Sequence, residues 1–194
     1  MPTSNALRVC REVAEILERL GIPCLVGGSL ASSLHGIPRS TDDADLVAEL
    51  REEHVEPLVA ALGSRFYVDA ERAREAVRRR SSFNVIELAT MFKVDLFVLG
   101  DDPAAREQMA RSQRFELPEE AGELPVASPE DTVLQKLRWY RLGHEVSDRQ
   151  WQDALGVLQV QGKRLDRAYL ERGAVALGVQ DLLERALREA GLEE

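Results

Sequence analysis

Hydrophobic positions along this chain recur at two different spacings, and the changes between them predict where helices and strands alternate. Near the N-terminus the apolar residues repeat at helical spacing: Leu7, Val13, Ile16, Leu17 and Leu20. This repeat predicts a helix that begins after Ser4 and ends at Gly21-Ile22-Pro23.

Short apolar runs and alternating segments further along predict the strands of a sheet. These segments are PCLVGG, DADLVAEL, SRFYVD, SSFNVIEL and MFKVDLFVL, with QRFELP and LPVA as short edge strands. Helices are predicted in SLASSLHG, REEHVEPLVAAL, the arginine-rich AERAREAVRRR, and DDPAAREQMARS. SSFNVIELAT and MFKVDLFVL follow each other closely enough to predict a β-hairpin.

From Ser128 onward the pattern is helical throughout. Ser128 and Asp131 predict a capping box, with Pro129 at the first helical position. Three further helices are predicted near residues 149–160, 166–176 and 180–190. The helical spacing of Trp139, Tyr140 and Trp151 predicts that their side chains lie in the core. We therefore expect an α/β (α+β) protein, with a mixed-sheet core over residues 1–127 and a helical region over residues 128–194.

Composition narrows the classes of partner. The chain has 194 residues, of which 44% are hydrophobic, so it can bury a substantial core. Its formal net charge of −9 repels nucleic acid at long range, and a polyanionic partner therefore requires a local basic surface. The dense basic run is Arg72, Arg74, Arg78, Arg79 and Arg80. Two interpretations stay open: a solvated helix paired with Glu71 and Glu75, or a contact surface for an RNA backbone.

Cysteine usage and hydropathy indicate the compartment. Cys10 and Cys24 are too few for a disulfide framework, and their spacing matches no metal motif. The sequence contains no apolar run of membrane-spanning length. We therefore expect a cytoplasmic protein without a membrane partner.

Three acidic residues precede a short apolar run in VGGSLASSLHGIPRSTDDADLV. If residues 43–47 form a strand, Asp43 and Asp45 lie on the same face, where their like charges call for a cation. Mg²⁺ commonly binds one or two carboxylates together with substrate phosphates. Asp95 interrupts an otherwise apolar strand and is the candidate third carboxylate, because an isolated buried charge is costly. Solvated acids at a turn, and an exposed edge position for Asp95, are the simpler alternatives.

The turn Gly27-Gly28-Ser29 stands between a predicted strand and a predicted helix. Backbone N–H groups and the helix dipole favour a phosphate at such a position, although glycine is also common there for conformational reasons. Arg39 is either a phosphate ligand or a salt-bridge partner of the nearby aspartates.

The segments GGSLASSLHGIPRSTDDADLV and KVDLFV together resemble the nucleotidyltransferases of the polymerase-beta superfamily, closest to the AbiEii-like toxins of prokaryotic toxin–antitoxin systems. The resemblance extends from about Leu25 to Leu99, and DTVLQKLRWYR and SDRQWQDALGVL resemble the helical half of that family more weakly. It implies two Mg²⁺ ions on Asp43, Asp45 and Asp95. It also implies a nucleotide site, with the residues Gly27, Gly28, Ser29, Arg39, Thr41 and Lys136, and a supporting role for Asp153.

The implied reaction is transfer of a nucleoside monophosphate from a nucleoside triphosphate, such as ATP, to an acceptor (EC 2.7.7 type). Asp95 is the candidate general base, and Arg39 or Lys136 would neutralise phosphate charge. A toxin role would bring tRNA as acceptor and a cognate antitoxin as partner. Two alternatives stay open: transfer to a small molecule or a protein, and a module that binds a nucleotide or partner without turnover.

Overall fold

The computed structural model describes residues 4–117 and 122–193, which divide into two compact units. The sheet unit comprises residues 4–30, 40–117 and 122–127, and the helical unit comprises residues 31–39 and 128–193. Residues 118–121, which include the end of the predicted QRFELP strand, lie outside the described residues.

The elements follow one another largely as the sequence predicts. The strands are β1 (Cys24–Val26), β2 (Asp43–Ala48), β3 (Phe66–Val68), β4 (Ser82–Glu87), β5 (Lys93–Val98), β6 (Gln113–Glu116) and β7 (Glu123–Val126). The helices are α1 (Ser4–Arg19), α2 (Gly28–His35), α3 (Glu52–Leu62), α4 (Ala70–Arg79), α5 (Pro103–Ala110), α6 (Pro129–Leu142), α7 (Asp148–Gln161), α8 (Arg167–Leu177) and α9 (Gln180–Glu189). Helix α2 begins in the sheet unit and ends in the helical unit.

The strands of the sheet unit form one mixed sheet in the order β3-β4-β5-β2-β1-β7-β6. β2 pairs with β5, and β1 with β7, in parallel, whereas the other neighbours are antiparallel, including the predicted β4–β5 hairpin. The predicted mixed α/β fold is thus confirmed. The prediction that β7 is an edge strand is wrong: it lies between β1 and β6, because Val126 pairs with Val26 and both are fully buried.

Alternation along β2 separates the two faces of the sheet. Ala44, Leu46 and Ala48 are buried, whereas Asp43 and Asp45 are only partly buried. Helix α1 contacts β1 and β2, and α4 contacts β4 and β5. The buried face therefore holds the core of the sheet unit, and the opposite face of β2 carries the acidic side chains.

The helical unit has its own core, formed by apolar residues of α6 to α9. Ser128 caps α6 as predicted, since its Oγ accepts a hydrogen bond from the Asp131 N–H at 3.1 Å. The predicted core positions of Tyr140 and Trp151 are confirmed, but the same prediction for Trp139 is wrong, because that side chain is half exposed. Among the described residues, no helix combines the length and the apolar character needed to cross a membrane.

Candidate active site

Strands β2 and β5 bring the candidate carboxylates together on one face of the sheet. In their parallel pairing Asp45 lies opposite Asp95, and Asp43 lies opposite Lys93. Successive side chains alternate between faces, so Asp43, Asp45 and Asp95 all project from the side opposite the core. The pairing of two strands about fifty positions apart is the feature that joins Asp95 to the acidic segment.

A cation that the sequence analysis did not single out lies among these acids. Lys93 Nζ is 2.8 Å from Asp95 Oδ2 and 3.8 Å from Asp43 Oδ2. The hydrogen bond to Asp95 raises the pKa of Lys93, with further contributions from the charges of Asp95, Asp43 and Asp45. The alternation in KVD contained the signal, because a residue two positions before Asp95 shares its face.

The donor set fits a hard divalent cation in type, since carboxylate oxygens are the ligands that Mg²⁺ prefers. Within the described ranges, no three His, Cys, Asp or Glu side chains are gathered closely enough to form a ready metal site. The like charges of three neighbouring carboxylates repel one another, and the Lys93 ammonium offsets part of that repulsion. The three carboxylates therefore have the ligand type that a metal ion needs and project from one face of the sheet, with the Lys93 ammonium group among them.

The turn before α2 is shaped around Asp45. The Gly27 N–H donates to the Asp45 backbone oxygen at 2.8 Å, and Gly28 begins α2 with a φ of +55°. A Cβ on Gly28 would lie 1.6 Å from Asp45 Oδ2, so this position has no room for a side chain. Ser29 follows in the first turn of α2, where helix N–H groups lack intrahelical partners. The structure thus brings the Gly-Gly-Ser turn against one of the candidate carboxylates.

Thr41 contacts a second carboxylate of the group. Its Oγ1 lies 3.0 Å from the Asp43 backbone oxygen and 3.1 Å from Asp43 Oδ1, and the side chain is buried. The single hydroxyl proton can serve only one of these acceptors at a time. This arrangement makes Thr41 a residue that orients Asp43.

The other two predicted nucleotide ligands, Arg39 and Lys136, meet in the helical unit around Asp153. Arg39 donates to both Asp153 oxygens at 2.7 and 2.9 Å, and Lys136 Nζ donates to Oδ2 at 2.7 Å. Burial opposes ionisation of Asp153, but the hydrogen bond from Arg39 and the charge of Lys136 outweigh it and lower the pKa of Asp153. The carboxylate that Arg39 contacts here lies 114 positions away in the chain, a partner that the sequence did not indicate.

The arginine run, on α4 and at Arg80 directly after it, is extensively ion-paired. Arg74 pairs with Glu56 and Glu71, and Arg78 with Glu52 and Glu75. The other ion pairs are Arg72 with Asp69, Arg79 with Glu75 and Arg80 with Asp101. Pairs with Glu52 and Glu56 connect α4 to α3. The geometry thus favours the solvated, ion-paired helix for most of this run.

Neither cysteine is suited to nucleophilic chemistry. Burial raises the pKa of the Cys24 thiol to about 12, and it raises the pKa of Cys10 further. Both thiols are unpaired and protonated near neutral pH.

A family model described as nucleotidyl transferase AbiEii toxin, type IV toxin–antitoxin system, matches residues 20–157, more than half of the chain. The mixed sheet with its helices is the fold of a nucleotidyltransferase. The chain belongs to the AbiEii nucleotidyltransferase toxin family. The predicted family and enzyme class are thereby confirmed.

Solved structures of low sequence identity share the fold. A nucleotidyltransferase-like antigenic protein from Paracoccidioides brasiliensis is 18% identical, with 96% of this chain and 94% of that chain covered and a TM-score of 0.56. The antibiotic-resistance factor ANT(2″)-Ia, solved with adenylyl-2″-tobramycin, is 15% identical, with coverages of 90% and 97% and a TM-score of 0.55. A lincosamide antibiotic adenylyltransferase with bound lincomycin is 10% identical, with coverages of 82% and 98% and a TM-score of 0.53. No curated protein sequence matches the chain. Nucleotidyltransferases of this fold generally use a divalent metal.

Proposed function

We propose that Asp43, Asp45 and Asp95 form the catalytic centre that transfers a nucleoside monophosphate from a nucleoside triphosphate to an acceptor. The main support for this proposal is that the three carboxylates project from the same face of the sheet, and that Gly28 lies directly against the Asp45 carboxylate. A packed structural face would place apolar residues at these positions, whereas β2 and β5 place charged ones there.

The three carboxylates are the proposed ligands of two Mg²⁺ ions. When bound, such ions lower the pKa of an attacking hydroxyl and stabilise the leaving oxygens of the phosphate chain. Thr41 would hold Asp43 in its orientation, and Lys93 would have to leave the carboxylates or find a phosphate as its new partner.

The nucleotide phosphates are assigned to the N-terminal turn of α2. Gly28 and Ser29 lie in the first turn of α2, where backbone N–H groups lack intrahelical partners and the helix dipole favours a negative group. Gly27 links β1 to this turn and is the third proposed phosphate-binding residue. Arg39 and Lys136 remain proposed phosphate ligands by their charge, and in that role they would divide their donors between Asp153 and phosphate oxygens.

The proposed step is an in-line displacement at the α-phosphorus. The acceptor hydroxyl oxygen forms a bond to this phosphorus, the bond between the α-phosphorus and the bridging oxygen breaks, and pyrophosphate leaves with the electron pair. Asp95 accepts the hydroxyl proton, because its carboxylate is on the reactive face and partly accessible.

We further propose a toxin role in the cytoplasm, with an RNA such as tRNA as acceptor and a cognate antitoxin as partner. Support comes from the family description and from the basic residues of α4. Transfer to a small molecule is the second candidate, because two proteins of this fold were solved with antibiotic ligands.

The test is a transfer assay with purified protein, Mg²⁺ and each common α-³²P ribonucleoside triphosphate, in the presence of total cellular RNA. The variants are Asp43→Asn and Asp95→Asn, with Asp42→Asn as matched control because Asp42 is exposed and adjacent to the group. We expect label in RNA with wild type and Asp42→Asn, and none with the other two variants. Label in small molecules or protein would show that the acceptor is not RNA. Nucleotide binding without transfer would show that the protein binds nucleotide but is not a transferase.

A further inference from the structure

A groove of about 470 Å³ opens in the sheet unit beside the proposed catalytic strands. Its walls include Tyr67 of β3, Arg72 and Arg79 of α4, and Ser82, Asn84 and Ile86 of β4. β3 pairs with β4 only from Val85 to Glu87, so the strand pairing ends before Asn84. The groove therefore lies where β4 continues past its outer neighbour.

Asn84 connects this groove to the carboxylates. It lies directly opposite Asp95 in the antiparallel β4–β5 pair. Side chains of directly opposed residues project from the same face, with their Cβ atoms about 4.5–5.5 Å apart. One end of the groove is thus one strand away from the residue proposed to accept the hydroxyl proton.

The walls combine an accessible aromatic ring with accessible guanidinium groups. Tyr67 is 55% exposed, although it is large and partly apolar. The side chains of Arg72 and Arg79 are 84% and 75% exposed. Nucleic-acid strands are bound by this combination, with bases stacked on aromatic rings and phosphates paired with arginine.

The acidic residues of the groove are engaged within α4. Asp69 accepts hydrogen bonds from the backbone N–H groups of Glu71 and Arg72, and Glu75 pairs with Arg78 and Arg79. Arg72 Nε lies 3.7 Å from the Asp69 carboxylate, a long contact for an ion pair. Exposed pairs of this kind are worth about 0–1 kcal/mol, and a guanidinium has five N–H donors, so a phosphate can bind beside them.

We propose that this groove binds the 3′ end of the single-stranded RNA acceptor. A base near the end stacks on Tyr67, backbone phosphates contact Arg72 and Arg79, and Asn84 orients the terminal ribose toward Asp95. This inference rests on the proposed nucleotidyl transfer at Asp95. It limits the RNA contacts of the arginine run to Arg72 and Arg79. Arg74 and Arg78 pair with glutamates of α3, and Arg80 pairs with Asp101 outside the groove.

The test measures binding of a short fluorescein-labelled single-stranded RNA with a free 3′-hydroxyl by fluorescence anisotropy at low salt. The groove variants are Tyr67→Ala and the double variant Arg72→Ala/Arg79→Ala. Arg78→Ala is the matched basic control, since Arg78 is on the same helix, 54% exposed and outside the groove. Trp139→Ala is the aromatic control, since its side chain is 51% exposed in the helical unit. Thermal melts of every variant verify folding, and Tyr67→Phe retains the ring.

We expect Tyr67→Ala and the double arginine variant to raise the RNA Kd about tenfold or more, with Tyr67→Phe and both controls close to wild type. Equal weakening in the controls, unchanged binding in the groove variants, or no binding by wild type would each overturn the inference. Nucleotide binding and label transfer are measured separately on the same proteins. Failure of transfer to every acceptor would refute the proposed function. If transfer occurs but the groove variants bind RNA as wild type does, only the assignment of the RNA site to this groove is refuted.

Discussion

Lys93 Nζ lies 2.8 Å from Asp95 Oδ2 and 3.8 Å from Asp43 Oδ2, on the face of β2 and β5 that carries the candidate metal ligands. The ammonium group therefore neutralises part of the negative charge that a divalent cation would bind. A metal ion that binds these carboxylates must compete with a charge supplied by the chain itself.

Removal of that charge should strengthen metal binding. We expect Lys93→Met to lower the Kd for Mg²⁺ or Mn²⁺ about three- to tenfold, because a partly exposed ion pair of about 1 kcal/mol no longer has to be broken. Isothermal titration calorimetry measures this directly. Lys163→Met, at an exposed lysine of the helical unit, should leave the affinity unchanged. An affinity for Lys93→Met equal to that of wild type would show that Lys93 does not compete.

Gly28 allows a second prediction, because its missing side chain leaves the space that Asp45 Oδ2 occupies. Gly28→Ala should displace the Asp45 carboxylate and abolish transfer. It should also lower the free energy of unfolding by more than the cost of placing an alanine in the left-handed conformation at this position. The left-handed conformation of an alanine costs about 1–2 kcal/mol, and the steric overlap should add about 1–3 kcal/mol.

Gly21→Ala is the matched control for this change. Gly21 has a φ of +72° and nothing within 4 Å of a built Cβ, so it carries the backbone cost without the overlap. Urea unfolding of both variants separates the two terms. Equal destabilisation, together with retained transfer in Gly28→Ala, would contradict the proposed packing of Asp45 against the turn.

Local pattern predicted the elements, and long-range pairing determined the site. The alternation in DADLV predicted that Asp43 and Asp45 share a strand face, and the apolar residues around Asp95 singled it out as the third carboxylate. The structure places all three at partly exposed positions. Local pattern could not reveal that β2 and β5 pair in parallel with Asp45 opposite Asp95, because strand register depends on contacts far apart in the chain. The same limit concealed the pairing of Arg39 with Asp153 and the position of β7 inside the sheet.

Acid sensitivity should depend on Glu87, which is buried in the sheet unit. Its carboxylate accepts hydrogen bonds from Arg8 at 2.8 Å and Thr90 at 2.6 Å. The bond from Arg8 is the largest influence and lowers the pKa of Glu87, against the effect of burial. A lowered folded-state pKa contributes stability above the unfolded value of about 4.3, and that stability is lost as the pH falls through the folded value.

We therefore expect the free energy of unfolding of wild type to fall as the pH is lowered from about 5 to 3, and Glu87→Gln to flatten this dependence. At pH 7 the variant should be less stable by about 1–3 kcal/mol, since Arg8 loses its buried charged acceptor. Glu53→Gln, at an exposed glutamate, serves as control. Parallel pH profiles for Glu87→Gln and wild type would show that other carboxyl groups control the acid transition.

Asp153 should be a stability determinant of the helical unit, because it is the shared acceptor of Lys136 and Arg39. The Lys136 and Asp153 side chains are only 4% and 6% exposed. Asp153→Asn removes the carboxylate charge that faces the buried Lys136 ammonium, and we expect a loss of about 3–5 kcal/mol in urea unfolding of the full chain. Lys136→Met/Asp153→Leu removes both buried charges and should recover at least half of that loss. If the double variant is as unstable as Asp153→Asn, the lost charge pairing with Lys136 is not the cause, and the hydrogen bonds from Arg39 to Asp153 stabilise the unit instead.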